Sequence, residues 1–137
     1  MTMTLVDTNI WIDLTQKGVL FEASLLALNH AVEEGGIVMS AVVWAELASG
    51  VGTETELEHL FGIIPFEREP LPFAAAFPAG RAHRLYRSRG GGRERTLPDF
   101  LIGAHALVGG HRLLTRDSTR YRSYFPDLAI VTPEGSA

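Results

Sequence analysis

Short apolar runs alternate along the chain with stretches whose apolar positions recur every three or four residues. Met3 to Val6 reads as a buried strand, followed by a helix from about Asn9 to Gln16 and another from about Leu20 to Glu34, which Gly35-Gly36 ends. Ile37 to Met39 reads as a second strand, and Ser40 is placed to cap the helix AVVWAELASG as far as Gly50. Thr53 is placed to cap TETELEHLF, and Gly62 to Phe66 reads as a third strand. A longer helical region from about Leu71 to Ser88 is expected to break or kink at Pro78, and Gly90-Gly91-Gly92 forms a joint. The helix LPDFLIGAHALVG follows, then a strand Arg112 to Thr115, an irregular segment through Pro126, and a last strand Leu128 to Thr132. Strands separated by helices imply an α/β fold. The expected form is a three-layer α/β/α sandwich whose mostly parallel sheet carries its ligand site beyond the carboxyl ends of the strands.

Length and composition keep this to one domain, residues 1–137. The chain has 137 residues and 46% hydrophobic content, enough to bury a core. The N-terminus MTMTLVDTNI lacks a basic region followed by a long apolar stretch, and no segment approaches the roughly 18 apolar residues of a membrane span. With 0 Cys as well, a cytoplasmic protein is expected.

Four acids fall where such a fold would gather them. Asp7 closes the first apolar run, Asp117 follows the Leu113-Leu114-Thr115 strand end, Glu46 lies about two turns into its helix, and Asp99 lies in a first helical turn. Carboxylates brought together repel one another, so a clustered acidic site usually holds a hard divalent cation. Oxygen donors select Mg²⁺ or Mn²⁺. The histidines lie outside the four acidic segments, which leaves a zinc site of the sulfur or imidazole kind with little support.

Each acid also has a purely structural explanation. Asp7 with Thr8 and Asn9 matches an Asx-turn capping a helix. Thr96-Leu97-Pro98-Asp99 matches a capping box, and Asp117 before Ser118-Thr119 matches a turn or cap. Glu46 differs, because on an apolar helix it has no capping role, and burying it without a partner is costly unless it lies on an exposed stripe. The joint occurrence of all four favours a site.

Charge is distributed unevenly. Residues 81 to 122 carry ten arginines against Glu94, Asp99 and Asp117, a local excess of +7 that leaves −11 elsewhere from a total of −4. The negative total argues against non-specific coating of nucleic acid, whereas a concentrated arginine region suits local phosphate recognition. Arg81, Arg84 and Arg87, three apart on a helix, form a candidate substrate-guiding stripe, or else a solvated face. Tyr86, Tyr121 and Tyr124 are candidates for base stacking, with ordinary packing the alternative.

The segments LVDTNIWIDL, SAVVWAELASG, LPDFLIGAHALVGG and LLTRDSTRYRSYFPDLAIVTP together resemble PIN-domain ribonucleases of the VapC toxin type. The most specific pieces are Asp7-Thr8-Asn9, the Asp99 to Ala106 helix with small residues Gly103, Ala104 and Ala106, and Thr115-Arg116-Asp117. Residues 51 to 95 contribute little to the resemblance. It implies a Mg²⁺- or Mn²⁺-dependent endoribonuclease, homodimeric and restrained by a cognate antitoxin. Asp7, Glu46, Asp99 and Asp117 correspond to the family's acidic quartet. Thr8, Asn9 and Thr115 correspond to residues that orient carboxylates or waters, and Arg116 to a group that contacts phosphate or balances the acids. Trp11, Trp44 and Phe21 either line an apolar surface for an antitoxin helix or belong to the core. Metal-assisted attack of water in line on phosphorus predicts 5′-phosphate and 3′-hydroxyl ends.

Two rival classes remain. An aspartate-nucleophile phosphatase needs a second acid two positions after the first, and here that position is Asn9. A non-catalytic interaction module would keep the fold and cut nothing; retention of all four acids argues against it.

Overall fold

The computed structural model describes residues 2–93, 95–133 and 135–136. Glu94, counted above in the arginine-rich region, lies outside them, as do Met1, Glu134 and Ala137.

Strands β1 (Thr4–Val6) and β2 (Ile37–Ser40) are buried at every position. A strand covered on both faces has no reason to alternate apolar with polar, and such strands pair in parallel through helical crossovers. β1 lies between β2 and β4 (Arg112–Leu114), parallel to both, with Leu5 opposite Val38 on one side and Leu113 on the other. β3 (Glu67–Glu69) extends the sheet beyond β2, β5 (Ile130–Thr132) extends it beyond β4, and β6 (Gly135–Ser136) adds a short antiparallel edge. The spatial order is β3-β2-β1-β4-β5-β6. The chain therefore winds outward to β3 and then crosses to the far side of β1. Its winding reverses between β1 and β4, where open parallel sheets leave a crevice beyond the strand ends.

Helices α1 (Thr8–Asp13), α2 (Val19–Glu33), α3 (Ala41–Ala48), α4 (Glu54–Phe61), α5 (Ala76–Ser88), α6 (Leu97–Val108) and α7 (Ser118–Tyr124) complete the α/β/α sandwich. Their starts follow local chemistry. The Ser40 hydroxyl accepts from the Val42 amide at 3.0 Å, and the Thr53 hydroxyl accepts from the Glu56 amide at 3.1 Å, each satisfying a first-turn donor. Gly36 sits at φ +94°, which lets the chain swing from α2 into β2.

Core packing explains the small residues of α6. A Cβ at Gly103 would stand 2.6 Å from the Phe125 ring, so glycine allows the close approach of α6 to the segment after α7. Trp11 is fully buried, edge-on to Phe61 at 5.2 Å and Phe66 at 5.9 Å. Truncating such a side chain typically costs roughly 3–5 kcal/mol. Trp11 is thus core and lines no docking surface; Trp44 and Phe21 are half-buried.

Several element boundaries differ from the sequence reading. The third strand is Glu67–Glu69, not Gly62 to Phe66: Gly62 ends α4 by donating to Glu58, Ile64 closes a turn onto Phe61, and Phe66 serves the core as a ring. Its polar composition suits a sheet edge, where charge discourages further pairing. Leu71 to Ser88 is a 3₁₀ turn (Phe73–Ala75) running into α5. Pro78 breaks nothing, since it falls in the first turn of α5, where amides have no intrahelical partner. The segment expected to be irregular before Pro126 contains α7.

Candidate active site

Asp7 is the residue immediately after β1, and its amide donates to the Leu114 carbonyl at 2.9 Å, which fixes it at the carboxyl-end rim between β1 and β4, where the winding reverses. Its carboxylate accepts from the Thr8 amide at 2.8 Å and so caps α1. The other oxygen accepts from the Thr115 hydroxyl at 2.8 Å and, at 3.4 Å, from the Asn9 amide. Capping therefore uses only part of this side chain. Asp7 is 6% exposed, and burial pushes its carboxyl up to about 6. Hydrogen bonds from Thr115, the Thr8 amide and the neighbouring Tyr121 hydroxyl work against that rise, while the charge of Asp99 adds to it. Burial, together with the negative charge of Asp7 and Asp99, drives the Tyr121 phenol well above its ordinary value.

Thr115 is the junction of the site. Its hydroxyl donates to Asp7 and accepts from the Asn9 side chain at 3.4 Å and from the Asp117 amide at 3.0 Å, using the full capacity of the group. Asn9 in turn accepts from the Arg116 amide at 3.3 Å. This network ties α1 to the turn after β4 and orients Asp7 and Asp117 together. On the other flank, the Thr8 hydroxyl donates to Glu46 of α3 at 2.5 Å. Glu46 is thus half-buried with a partner in Thr8, the residue next to Asp7.

Asp99 forms the capping box expected from Thr96, accepting from the Thr96 amide at 3.0 Å, yet its charge is felt at both Asp7 and Tyr121. Asp117 occupies the position before α7 but makes no side-chain cap bond. Its carboxylate instead faces Arg95, with Nη2 at 3.9 Å. Arg95, which no local pattern distinguishes among the ten arginines of its region, is 9% exposed, and its Nη2 has no hydrogen-bond partner among the described residues.

The donors here are all oxygens, the set that suits Mg²⁺ or Mn²⁺. A buried carboxyl raised by its surroundings beside a second acid is a site short of positive charge, which fits a cation. Among the described residues no three of these acids bring oxygens within 4.8 Å of one another. That spacing accords with Mg²⁺, which commonly takes one or two direct carboxylates and keeps several waters.

Arg116 has a different neighbour from the acids. Its Nε donates to Asp13 at 2.8 Å, and Asp13, 4% exposed, also accepts from Ser24 at 2.6 Å. This pair joins α1, α2 and the turn after β4. Arg81, Arg84 and Arg87 lie exposed along α5, and Arg81 stacks over the Phe77 ring at 5.8 Å. Tyr86 and Tyr124 pack with each other and with Phe100, so their rings serve an aromatic cluster.

A second group of titratable side chains was invisible in the sequence. Glu69, His105 and His111 converge, both imidazoles reaching one carboxylate oxygen. Partial burial of Glu69 opposes the effect, but the two imidazoles hold its carboxyl below the ordinary value; burial pushes the His105 imidazole down. No sequence spacing links Glu69 to the other two, so only the fold reveals them.

Comparison with known proteins agrees with this architecture. No curated protein matches the sequence. VapBC2 from Rickettsia felis bound to a DNA fragment from their promoter superposes with a TM-score of 0.74 at 19% identity, covering 96% of this chain and 98% of that one. VapBC-1 from nontypeable Haemophilus influenzae gives 0.74 at 19% identity, over 97% and 99% of the two chains. A toxin-antitoxin complex from Klebsiella pneumoniae gives 0.66 at 24% identity, over 95% and 97%. Residues 4–125 match the PIN domain, a span running from the first strand through the last helix, and the chain belongs to that family.

Proposed function

We propose that this protein is a Mg²⁺- or Mn²⁺-dependent endoribonuclease, the toxin of a toxin–antitoxin pair. The observation that carries the reading is Asp7, a carboxyl buried at the reversal crevice, raised to about 6 and exposed to the charge of Asp99. Such an arrangement is unfavourable for a metal-free fold and favourable for holding a cation.

In this reading Asp7 and Asp99 hold the ion, with Glu46 and Asp117 acting directly or through water. When bound, the cation supplies a Lewis acid that activates water and offsets charge on the scissile phosphate. The protein's part is to position. Thr115 and Asn9 keep Asp7 from rotating, and Thr8 aims Glu46 at the same crevice. Arg95, its buried Nη2 facing the Asp117 carboxylate at 3.9 Å, offsets that charge beside the site rather than reaching the substrate. Arg81, Arg84 and Arg87 guide the strand by charge without reading its bases. Arg116, engaged with Asp13, serves the fold more than the substrate.

A cognate antitoxin and a homodimer complete the proposal; the relatives crystallised as toxin–antitoxin assemblies support the former. Among the described residues no helix is long and apolar enough to cross a membrane.

The test is cleavage of defined RNAs by purified protein free of antitoxin, in chelator and across Mg²⁺ and Mn²⁺ titrations, with Asp99→Asn as control. Metal-dependent cleavage leaving 5′-phosphate ends and lost in Asp99→Asn is expected. RNA left intact at every metal concentration would overturn the proposal in favour of a non-catalytic module.

A further inference from the structure

We infer that Glu69, His105 and His111 form a second cation site, separate from the acidic crevice and selective for Zn²⁺ or a similar borderline transition metal. The three residues come from unconnected elements: Glu69 ends β3, His105 lies in the second half of α6, and His111 stands just before β4. Their ligand atoms lie within 4.8 Å of one another. His105 Nε2 is 3.0 Å and His111 Nε2 is 2.9 Å from the same Glu69 oxygen. Bonds of about 2.0 Å at tetrahedral angles place ligand atoms about 3.3 Å apart, so an ion requires the Glu69 oxygen to part from each imidazole nitrogen by only a few tenths of an ångström.

The donor set decides the metal. Two imidazole nitrogens and one carboxylate oxygen suit Zn²⁺ and its neighbours, whereas Mg²⁺ prefers oxygen throughout. His105 is fully buried and His111 nearly so, while Glu69 is 30% exposed on its side chain, so the cluster meets solvent on the Glu69 side. His105 Nδ1 has no hydrogen-bond partner among the described residues. In the metal-free protein His105 Nε2 carries the proton that it donates to the Glu69 carboxylate; with nothing bound at Nδ1, that proton moves there when an ion takes the Nε2 lone pair. The missing support at Nδ1 sets the affinity about 10- to 100-fold below that of a fully buttressed site.

The consequence is mechanical. A bound ion would clamp the polar edge strand β3 to α6 and to the start of β4. β3 is otherwise held by its pairing with β2 and by Arg68, which reaches Glu58 and stacks over Trp44, so the ion adds a tie from this edge strand to α6.

The experiment is titration of the full-length, metal-stripped protein with Co²⁺ and with Zn²⁺, read by ligand-field absorption and calorimetry. Wild type, Asp99→Asn, His111→Ala and Glu69→Gln are compared. Tetrahedral Co²⁺ bands that saturate alike in wild type and Asp99→Asn, with the affinity weakened at least tenfold in His111→Ala and Glu69→Gln, are expected. Glu69→Gln, which keeps size and shape, guards against a misfolded His111→Ala. Two results would overturn the inference: bands that persist in both triad variants and vanish in Asp99→Asn, or no binding at all, which would leave an ion-free hydrogen-bonded triad. Because Asp99 belongs only to the acidic crevice, failure here leaves the nuclease proposal untouched.

Discussion

Replacing Asp7 by Asn should stabilise the metal-free protein at neutral pH, and by an amount that depends on pH in a defined way. The folded carboxyl titrates at about 6, against an ordinary value of 3.8. At ~1.36 kcal/mol per pH unit, the difference amounts to about 3 kcal/mol. The folded value is the higher one, so the proton is bound in both states below 3.8. Between 3.8 and about 6 the unfolded chain releases it while the folded protein keeps it, and wild-type stability falls as pH rises. Above about 6 the loss is complete. Asn cannot ionise and remains a good cap, but a single carboxamide oxygen cannot accept from both the Thr8 amide and the Thr115 hydroxyl. One lost hydrogen bond costs about 1 kcal/mol. Asp7→Asn should therefore be about 1 kcal/mol less stable than wild type near about pH 4 and about 2 kcal/mol more stable near about pH 8. Urea unfolding of both proteins in chelator across this range measures the difference. A difference that does not change with pH would refute the idea that Asp7 is electrostatically burdened, and with it the need for a cation there. Added Mg²⁺ should raise wild-type stability more than that of the variant.

Other perturbations probe other contacts. Arg116→Ala leaves Asp13 buried with only Ser24, and should destabilise the fold by about 3 kcal/mol in urea melts; removing Asp13 as well should recover part of the loss. If Arg116 instead served substrate alone, melts would be unchanged. Gly103→Ala forces a Cβ against the Phe125 ring and should cost about 1–3 kcal/mol, read as a lowered Tm. Neutralising Arg84 and Arg87 to Gln should weaken RNA binding and reduce its salt slope by about 1.4; an unaltered slope would mean that these exposed side chains are merely solvated.

The sequence by itself determined the elements whose cues are local. β1 and β2 announced themselves because strands covered on both faces are apolar throughout, and Ser40, Thr53 and Thr96 marked helix starts because a cap bonds within a single turn. From these followed a parallel sheet, and with it the expectation that Asp7 and Asp117 would occupy the same rim. Where the cue was absent or ambiguous, reading failed: β3 is polar because it is an edge, and Pro78 is harmless because it lies in a first turn. Asp7 and Asp99 both cap as expected, Asp7 accepting further bonds from Thr115 and Asn9, whereas the Asp117 side chain makes no cap bond. Only the tertiary structure decided that Thr115 joins Asp7 to Asp117, that Arg95 faces Asp117, that Arg116 belongs to Asp13, and that Glu69 meets two histidines. Those contacts join residues far apart in the chain. No periodicity encodes them; they exist because packing the helices against the sheet carries each backbone to its place, and their polar atoms, removed from water there, must find one another.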